Sequence, residues 1–543
     1  MSTPDFLPVV TATVPAASVR TALDEIADAI GADLVIAGDG DGEFRDPYQP
    51  TEWAAFATAG VVQPDTAEHV QEIVRIAGRH GVPIWSQGQG RNNGYGGAAP
   101  LVSGGITINF RRMNRVLEID AELGVALIEP GASFQDIYDA IEAAGADLMV
   151  SVPDIGWGSM GGNQQDNGLT YLPYGKDWRN ICGLEVVTAD GELLRTGMGA
   201  MEGNKSWNLY KRSLGPTIET LFFQGNFGVV TKLGVWLMPK PESITHVHVD
   251  VEHDEDLIPL VDSLRRLRLD GTIDGVPCIL NTLLIASTIA PRAHWYEREE
   301  GVVPDEVIDQ IAAKIGVGRW HLRFALYDDP EIQQIKLRKA VAAFGAITGV
   351  TIRHTSTPKE EWASMEDPSD RVYAGVPNLD WNTMAGWRGG ENGGHMSFAP
   401  VAPLKGQEVY DLQMWLKREF ERNGIDHTSD IIVVNERSVC SVAGITFDID
   451  DADETADNYR AMRELVRAAG KIGYGEYRAH LQFMDLAQEQ YGFNDHAYRR
   501  FVEKIKDAVD PAGILSPGRH GIWPAAFRRA SSVEPSVQDG THE

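Results

Sequence analysis

A glycine-rich stretch, GRNNGYGGAAP at residues 90–100, is the first segment whose composition suggests chemistry. Its four glycines and two asparagines leave backbone N–H groups uncovered. Such groups can form a nest that binds the oxygens of a pyrophosphate. The stretch lies between a predicted strand through Ile84 and Trp85 and a second strand pattern. A strand–loop–strand phosphate nest and an ordinary glycine-rich surface loop both remain open from this loop alone.

The glycine spacing disfavours two common nucleotide sites. Gly88, Gly90 and Gly94 form GxGxxxG rather than GxGxxG, and a strand follows instead of a helix, unlike a doubly wound dinucleotide site. The Gly-Lys-Ser/Thr of a Walker loop is missing. Two further small-residue loops, PDIGWGSMGGNQQDNG (153–168) and QGNFGVV (224–230), have the same character. Three such loops favour one large shared ligand over three coincidences.

Strand and helix patterns surround these loops. PDTAEHVQEIVRIAGRHG predicts a capped helix that begins at Thr66 and ends at Gly81, and SFQDIYDAIEAAG predicts a helix capped by Ser133. SGGITINF, RVLEID and GVALIEPG predict successive strands, and LEVVTADGELLRTG predicts a hairpin that turns at Asp190-Gly191. These elements would carry the glycine loops on a rigid frame.

The pattern changes near residue 245. ITHVHVDV and WHLRFALYD predict strands, and the helices DLIPLVDSLRRLRL and PEIQQIKLRKAVAAFG follow them, which predicts a second α+β domain. The segment NDHAYRRFVEKIKDAVDPAGILSPGRHGIWP predicts a helix and a Pro/Gly-rich stretch. The tail after about Arg529 is predicted to be disordered.

Length and composition exclude several classes. A chain of 543 residues is too long to fold around a single hydrophobic core, which predicts two domains. The net charge of −30 argues against nucleic-acid and anionic-membrane partners. No uninterrupted apolar run is long enough to span a membrane. Three cysteines without CxxC predict neither a disulfide framework nor a metal site, and the lack of a secretory pattern predicts a cytoplasmic protein.

Seven motifs in order make the sequence resemble the vanillyl-alcohol oxidase and 4-cresol dehydrogenase family of FAD flavoenzymes. They are GRNNGYGGAAP, VPDIGWGS (152–159), LPYG (172–175), LRTGMGA (194–200), NGGHMSFAP (392–400), GYGEYRAH (473–480) and DPAGILSPGRHGIWP (510–524). The resemblance covers residues 44–524 and is strongest to the eugenol and vanillyl-alcohol oxidases. Several long motifs in the right order are more specific than any single glycine pattern.

The resemblance implies an α+β, two-domain FAD-binding fold with an antiparallel-sheet cap. Residues 1–241 and 474–529 would form the FAD-binding domain, 242–473 the cap, and 530–543 a disordered tail. It also implies that His395 bonds covalently to the flavin 8α-methyl group, although a lone histidine in this setting is usually structural. The implied FAD contacts are Gly88, Gly90, Arg91, Asn92, Asn93, Gly94, Gly96, Pro153, Gly158, Ser159, Gly162, Asn163, Gly168, Tyr174, Gly175, Gly225, Asn226, Gly228, Val229 and Arg519.

The resemblance further implies that Tyr95, Tyr477 and Arg478 meet the substrate. Holding a phenol ionised at pH 7 costs about 4 kcal/mol, because its pKa is near 10. Two hydroxyls and a guanidinium aimed at one oxygen can supply this energy. Without the resemblance, Tyr477 and Arg478 would be an ordinary buried pair in a strand. For Asp154, the resemblance implies the role of a general base that activates water. The alternative role of Asp154 is structural, as an Asx-turn residue ahead of Gly156.

The sequence also departs from the family pattern. PYGKD stands where relatives commonly have PYGDH, and NERSVCSVAG stands where many carry a histidine pair. The residues concerned are Lys176, Asp177, Arg437 and Ser438. Asn167 stands where relatives often have arginine. Arg45 lies near a position that is histidine in some relatives with a histidyl flavin. A substrate preference is therefore not carried over from those relatives, and neither are their pocket shape, proton handling or way of forming the tether.

The expected activity is oxidation of para-substituted phenols through a p-quinone methide, with O2 reduced to hydrogen peroxide by a homodimer or larger homo-oligomer. One alternative is a dehydrogenase that passes electrons to a cytochrome. A second is a hydroxy-acid or sugar oxidase of the same fold, and a third is a flavin- or aryl-binding protein without turnover.

Overall fold

A computed structural model describes residues 10–11, 14–48, 56–298 and 301–531. The predicted disordered tail lies outside these ranges, except that the last helix continues to Ser531. Cys182, Cys278 and Cys440 are buried and free. Within the described ranges, no helix has both the length and the apolar character required to cross a bilayer.

The N-terminal part carries small sheets flanked by helices. Its strands are β1 (Val10–Thr11), β2 (Val35–Ala37), β3 (Gly60–Val62), β4 (Ile84–Gln87), β5 (Val102–Ser103), β6 (Ile106–Asn109), β7 (Val116–Asp120), β8 (Val125–Ile128), β9 (Leu148–Met149), β10 (Ile181–Val187), β11 (Leu193–Arg195), β12 (Val229–Trp236) and β13 (Met238–Pro239). Its helices are α1 (Ala16–Ile30), α2 (Ala67–His80), α3 (Phe134–Ala143) and α4 (Met160–Gln165).

Two sheets hold the glycine loops. One has the strand order β2-β3-β6-β4, and the other is an antiparallel sheet of order β11-β10-β12-β8-β7. The predicted strands and hairpin are confirmed. Both predicted caps are confirmed as well: the Thr66 side chain accepts from the His69 N–H at 3.2 Å, and Ser133 forms a capping box with Asp136. The glycine loop runs from β4 to β5, as the strand–loop–strand pattern predicts.

The middle part is built on one antiparallel sheet. Its strands are β14 (Ser243–Val251), β15 (Cys278–Asn281), β16 (Trp320–Leu326), β17 (Thr351–Pro358), β18 (Gly393–Phe398), β19 (Val401–Pro403), β20 (Thr428–Ile432) and β21 (Ser438–Asp448). Its helices are α5 (Leu257–Leu269), α6 (Thr282–Ile289), α7 (Arg292–Trp295), α8 (Asp305–Ile315), α9 (Pro330–Phe344), α10 (Pro368–Tyr373), α11 (Gly406–Arg422) and α12 (Ala452–Lys471). The strand order is β17-β14-β16-β15-β20-β21-β18, and β19 also pairs with β21.

Strand alternation gives this sheet two different faces. Val247 and Phe324 lie on a face that packs in one apolar core with side chains of α5, α9, α11 and α12. Arg323, Cys278 and Asp430 lie on the opposite face. The sheet is antiparallel throughout, which confirms the expected type of cap. The predicted boundaries near 241 and 473 fall just after β13 and α12, and stay predictions.

The C-terminal part returns to the first sheet through α13 (Met484–Glu489), α14 (Phe493–Val509) and α15 (Ala525–Ser531). The Ile84 N–H donates to the Ile514 carbonyl at 2.8 Å, and the Ser516 N–H donates back to the Ile84 carbonyl at 2.8 Å. Asn226 Nδ2 donates to the carbonyls of Ser516 at 3.1 Å and Ile522 at 3.0 Å. These bonds fix the end of the chain beside β4, where the glycine loop begins.

A buried ion pair reinforces this return. Lys506 Nζ lies 2.7 Å from Asp510 Oδ2, and both side chains are 0% exposed. Lys506 also donates to the Leu515 carbonyl at 2.7 Å and to the Asn226 carbonyl. Burial lowers the pKa of Lys506 to about 8, although Asp510 opposes this shift.

Replacing Lys506 with Met should destabilise the protein, because Asp510 would remain buried without its cation. The expected loss is about 3–5 kcal/mol, and the melting temperature of the FAD-loaded protein should fall by roughly 5 °C. Lys504→Met, at an exposed position of the same helix, is the control and should melt like the wild type. Equal melting temperatures for both variants would contradict this role.

Candidate active site

A cavity of about 300 Å³ lies between the glycine loops and the Arg323 face of the cap sheet. Most of the predicted site residues line it, although they come from five separate segments of the chain. They are Gly88, Gly90, Arg91, Asn92, Asn93, Tyr95, Gly96, Pro153, Asp154, Gly158, Ser159, Gly162, Asn163, His395, Tyr477, Arg478 and Arg519.

The first two glycine loops meet at Ser159. A Cβ on Gly88 would lie 1.9 Å from Ser159 Oγ, so only glycine permits this approach. The same hydroxyl accepts from the Gly162 N–H at 3.1 Å and caps α4. A Cβ on Gly158 would meet nothing within 4 Å, so this position opens onto the cavity. The backbone therefore forms a wall that a ligand can approach closely.

The third predicted loop lies away from the cavity lining. A Cβ on Gly225 would lie 1.9 Å from the Leu221 carbonyl oxygen, and one on Gly228 would lie 2.4 Å from Val186 Cγ1. Asn226 anchors the C-terminal segment, and Val229 is buried in the core that includes α1 and α2. Protein packing alone accounts for these residues, and their contact with FAD stays a prediction.

Gly94 packs against His395 and is not among the residues that line this cavity, and its contact with FAD stays a prediction. Three other predicted residues also lie outside the lining. Gly168 and Gly175 pack against the side chains of Asn163 and Thr170. Tyr174 is exposed and lines a separate pocket, with Tyr327 from the cap. A role in FAD binding for these three stays a prediction as well.

Tyr95, Tyr477 and Arg478 come together on one wall of the cavity. The Arg478 guanidinium carbon lies 3.9 Å from the ring centroid of Tyr95 and 5.5 Å from that of Tyr477. Tyr477 and Arg478 lie in a bend rather than in a strand; the bend follows a single β-bridge between Pro400 and Glu476. The bend lets two consecutive side chains face the same cavity, whereas a strand would point them to opposite faces.

The charges and burial of this cluster decide which of its groups are protonated. Burial would lower the pKa of Arg478, but the phenol groups of Tyr477 and Tyr95 and the Asp166 carboxylate raise it above its ordinary value. Burial raises the pKa of Tyr477 well above its ordinary value, although the charge of Arg478 opposes this. The guanidinium therefore stays charged and the Tyr477 hydroxyl stays protonated, so both can donate to an anionic oxygen.

Asp166 is a residue of this site that the sequence analysis does not identify. Its Oδ2 lies 3.9 Å from Arg478 Nη1 and accepts from Asn92 Nδ2 at 3.4 Å, and its Oδ1 lies 3.0 Å from His520 Nε2. Burial would raise the pKa of Asp166, but the hydrogen bond and charge of His520 and the charge of Arg478 lower it. An ionised carboxylate thus lies behind the guanidinium. The sequence feature that could have identified Asp166 is its position in the glycine loop 153–168.

Asp154 lines the cavity and binds a buried cation. Arg323 Nη2 donates to Asp154 Oδ1 at 2.7 Å, and the Tyr171 hydroxyl donates to Asp154 Oδ2. Arg323 is 1% exposed, and its guanidinium carbon lies 4.6 Å from the Trp381 ring centroid. The Gly156 N–H donates to the Asn378 carbonyl at 2.9 Å, so it does not form the alternative Asx turn. Arg323 could have been suspected as a charge inside the apolar strand WHLRFALYD.

His395 lies on β18 and presents a nitrogen without a partner. The side chain is buried, Nδ1 has no hydrogen-bond partner, and the ring centroid lies 5.0 Å from that of Tyr48. Burial lowers its pKa to about 4; Asp46 opposes this shift and His480 adds to it. A neutral imidazole with a free nitrogen on the cavity wall fits a covalent bond to a ligand held there.

Two of the segments that depart from the family pattern lie next to each other. Lys176 donates to Glu436, and Asn435 Nδ2 donates to Asp177 Oδ1 at 3.5 Å. The segments PYGKD and NERS therefore contact each other across 260 residues of sequence. The Lys176–Glu436 ion pair lies outside the lining of the main cavity.

Among the described residues, one group outside this cavity could hold a cation. Ligand atoms of His248, Asp367 and Asp370 lie within 4.8 Å of one another in the middle part of the chain. His248 Nε2 already lies 3.1 Å from Asp370 Oδ1 as an ion pair. The expectation that the protein has no metal site stays a prediction.

Two protein-family models match separate parts of the chain. The family described as "FAD binding domain" matches residues 58–197, and "FAD linked oxidases, C-terminal domain" matches residues 440–520. The flavoprotein subunit of 4-cresol dehydrogenase (hydroxylating) from Pseudomonas putida is 36% identical over 477 residues, which cover 87% of this chain and 89% of that protein.

Two solved structures are similar over nearly the whole length. The 4-ethylphenol oxidase of Gulosibacter chungangensis, in complex with isoeugenol, has a TM-score of 0.90 and 33% identity, over 96% of this chain and 100% of that one. The p-cresol methylhydroxylase with substrate bound has a TM-score of 0.87 and 34% identity, over 95% and 99%.

Replacing Gly94 with Ala tests the packing around His395. The added Cβ would lie 2.6 Å from His395 Nε2, at a residue whose φ is +79°. We expect FAD affinity to fall roughly five- to tenfold, because the strain and the displaced imidazole together cost about 1–2 kcal/mol.

FAD content per polypeptide, measured by absorbance after purification, checks this prediction. Gly386→Ala is the control, because its Cβ would meet nothing within 4 Å and its φ is ordinary. A Gly94→Ala protein with full FAD content and wild-type melting temperature would show that His395 does not depend on this contact.

Proposed function

The chain belongs to the vanillyl-alcohol oxidase and 4-cresol dehydrogenase family of FAD-dependent oxidoreductases, and we propose that it oxidises para-substituted phenols with O2 as the electron acceptor. The substrates would be 4-alkylphenols, 4-hydroxybenzyl alcohols or allylphenols. One observation carries this proposal: the buried Arg478 guanidinium lies between the rings of Tyr95 and Tyr477 on the cavity wall. The names of the relatives, which are enzymes of 4-cresol, 4-ethylphenol and p-cresol, support it.

The first step is binding of the phenol oxygen as a phenolate. Arg478 and Tyr477, both on the cavity wall, would donate to this oxygen. Ionising a phenol at pH 7 costs about 4 kcal/mol. A charge-assisted hydrogen bond in a buried site supplies energy of this order, because the local dielectric is low. The negative oxygen then pushes electrons through the ring towards the para carbon.

When bound, FAD would supply the oxidising power for hydride removal from the substrate, with O2 as the final electron acceptor. The residues that would hold it are those of the two loops that meet at Ser159, together with Arg519 and His395. Arg519 Nη1 donates to the Ser86 carbonyl at 3.1 Å, which fixes its guanidinium at the beginning of the glycine loop. A buried cation there suits an anionic part of the cofactor.

Asp154 would act on the carbon that has lost the hydride. The substrate is then a p-quinone methide, and a carboxylate can remove a proton from water as that water adds to the benzylic carbon. Arg323 and the Tyr171 hydroxyl hold Asp154 in one orientation. A benzylic alcohol gives a carbonyl product instead, and a substrate with a neighbouring C–H can give an alkene.

Electron transfer to O2 separates this proposal from a cytochrome-coupled dehydrogenase. His395 supports the oxidase, because a histidine in this motif is the expected tether in oxidases of the family. The experiment is to mix the purified protein with 4-ethylphenol, first without oxygen and then in air. Flavin bleaching followed by stoichiometric hydrogen peroxide without an added acceptor is expected. Bleaching without peroxide would favour the cytochrome-coupled enzyme, and a lack of bleaching by any phenol would overturn the proposal.

Replacing Arg478 with Ala should slow anaerobic flavin reduction about 1,000-fold at pH 7, because the phenolate loses its charged partner. The rate of the variant should then rise about tenfold per pH unit towards pH 10, as the free phenol ionises by itself. The wild-type rate should not show this rise. Stopped-flow absorbance of the flavin measures both.

Arg437→Ala is the control for this experiment, because Arg437 is 77% exposed and distant from the cavity lining. A slow Arg478→Ala variant with the same pH profile as the wild type would mean that Arg478 does not stabilise a phenolate.

The tether through His395 has a direct chemical test. Acid precipitation of the wild type should leave the yellow flavin with the protein, because the bond to the 8α-methyl carbon survives denaturation. His395→Ala should release all of it into the supernatant. Free flavin in the wild-type supernatant would disprove the covalent bond while leaving phenol oxidation untested by this assay.

A further inference from the structure

A histidine and two aspartates form a cluster near the edge of the cap sheet, outside the cavity. Ligand atoms of His248, Asp367 and Asp370 lie within 4.8 Å of one another. His248 lies on β14, the second strand from the sheet edge. Asp367 caps α10, and Asp370 lies in the first turn of that helix. One imidazole nitrogen and two carboxylates are a donor set that divalent transition metals bind.

The spacing of these atoms is close to that of a tetrahedral zinc site. Zn²⁺ binds histidine nitrogen and carboxylate oxygen at about 2.0–2.2 Å, so two ligand atoms on one ion are roughly 3.3 Å apart. His248 Nε2 lies 3.1 Å from Asp370 Oδ1. Asp367 Oδ1 accepts from the Ser369 N–H at 2.8 Å, which leaves Oδ2 to bind an ion. Because Asp367 is exposed, an ion and a water ligand can reach the cluster from solvent.

Hydrogen bonds behind His248 determine which of its nitrogens faces the cluster. Asp250 accepts from the Gly318 N–H at 3.1 Å and lies 2.9 Å from Arg353 Nη2, as a carboxylate does. His321 Nδ1 lies 2.8 Å from Asp250 Oδ1, so this nitrogen is the donor. A neutral imidazole has one donor and one acceptor nitrogen. His321 Nε2 therefore accepts from His248 Nδ1 at 3.2 Å, and His248 Nε2 is left as an acceptor.

Two acceptors thus face each other between His248 and Asp370. Their approach to 3.1 Å is favourable only with a cation between them, which is either a proton or a metal ion. Histidines that bind metals commonly donate their other ring N–H to an acceptor, which fixes the tautomer. The bonds from His248 to His321 and from His321 to Asp250 supply this support.

A second buried imidazole nitrogen next to the cluster has no partner. His246 precedes His248 by two residues, so both lie on the same face of β14, and His246 is 1% exposed. Its Nε2 faces the Asp370 carbonyl oxygen at 3.1 Å and is therefore the donor. Its Nδ1 is buried and has no hydrogen-bond partner in the part of the chain that the structure describes. This free acceptor adds to the ligand atoms that an ion, or a water bound to it, can use.

An ion at this cluster would connect the cap sheet to the loop that carries Asp154. Pro368 lies between the two aspartates, and its carbonyl accepts from Asn378 Nδ2 at 3.2 Å. The Asn378 carbonyl in turn accepts from the Gly156 N–H at 2.9 Å, two residues after Asp154. The ion would therefore have a structural role, because it fixes this segment to β14.

We propose that His248, Asp367 and Asp370 bind one Zn²⁺ ion. This inference replaces the sequence-based expectation of a protein without a metal, and it does not depend on the proposed function. A net charge of −30 attracts divalent cations without specificity. A specific site differs from this background by its nitrogen ligand.

Zn²⁺ binding should be measured on the FAD-loaded protein without an affinity tag, by competition with a chromophoric zinc chelator in excess Mg²⁺. Mg²⁺ occupies sites made of carboxylates alone, whereas it competes poorly for an imidazole nitrogen. We expect one equivalent of Zn²⁺ to remain bound. The melting temperature should rise by about 2–3 °C at a free Zn²⁺ concentration about 100 times the Kd.

Asp367→Asn is the first variant, because the position is exposed and asparagine also caps helices. Its Zn²⁺ affinity should fall about tenfold or more, since even changes beyond the ligands cost this much. Asp370→Asn should have the same effect. His354→Gln is the matched control and should bind Zn²⁺ like the wild type. His354 is exposed on β17 and pairs with Val247, so it lies on the opposite face from His248.

A wild type that retains no Zn²⁺ in excess Mg²⁺ would overturn the inference and leave a proton between His248 and Asp370. Equal Zn²⁺ affinities of the wild type and Asp367→Asn would overturn it as well.

Co²⁺ provides a second measurement that needs no variant. A four-coordinate site with an imidazole ligand gives bound Co²⁺ strong visible absorption, whereas an ion held by carboxylates and water is six-coordinate and absorbs weakly. We expect strong absorption that saturates at one equivalent and disappears when Zn²⁺ is added. Weak absorption from the bound equivalent would contradict the proposed ligands.

Discussion

The site depends on keeping a guanidinium charged inside the protein. Taking one charge out of water costs several kcal/mol unless it gains partners. Arg478 gains the ring of Tyr95, the phenol group of Tyr477 and the Asp166 carboxylate at 3.9 Å. Tyr477 directly precedes Arg478, whereas Tyr95 and Asp166 come from distant segments, and His520 and Asn92 in turn hold Asp166. Much of the folding around the cavity therefore serves to complete this one arrangement.

A second buried cation gives the cavity its direction. Arg323 on β16 binds Asp154, which lines the cavity. An acidic protein with a net charge of −30 thus encloses a cavity that Arg478 lines directly and that Arg323 influences through the Asp154 carboxylate. Charges on the outer surface are screened within about 8–10 Å, so the local groups dominate. The Arg478 side of the cavity suits an anionic oxygen.

Local sequence signals predicted much of the frame. The caps at Thr66 and Ser133 and the turn at Asp190-Gly191 are encoded within a few residues, and all of them form. The antiparallel cap, the FAD site and the family followed from the resemblance, because strand order is a long-range property. The bend at Tyr477 was not predicted, since the alternation of residue types there also fits a strand.

The pairs that complete the site could not be read from the sequence. Asp166 and Arg478 are 312 positions apart, and Asp154 and Arg323 are 169 apart, so only the fold shows that they meet. Lys176 and Glu436 are also far apart in the sequence, and only the fold shows that they form an ion pair between the segments PYGKD and NERS. Asp430 precedes the apolar run IIVV, and its place on the sheet face that carries Arg323 and Cys278 becomes visible only from the sheet register.

The most direct test of the account is the ionisation state of a bound phenol. An unreactive para-substituted phenol with a pKa near 10 should be titrated into the FAD-loaded enzyme at pH 7, and its ultraviolet difference spectrum recorded. The account predicts the absorbance of a phenolate, although the free ligand is protonated at this pH. Saturated binding with the spectrum of a neutral phenol would contradict it.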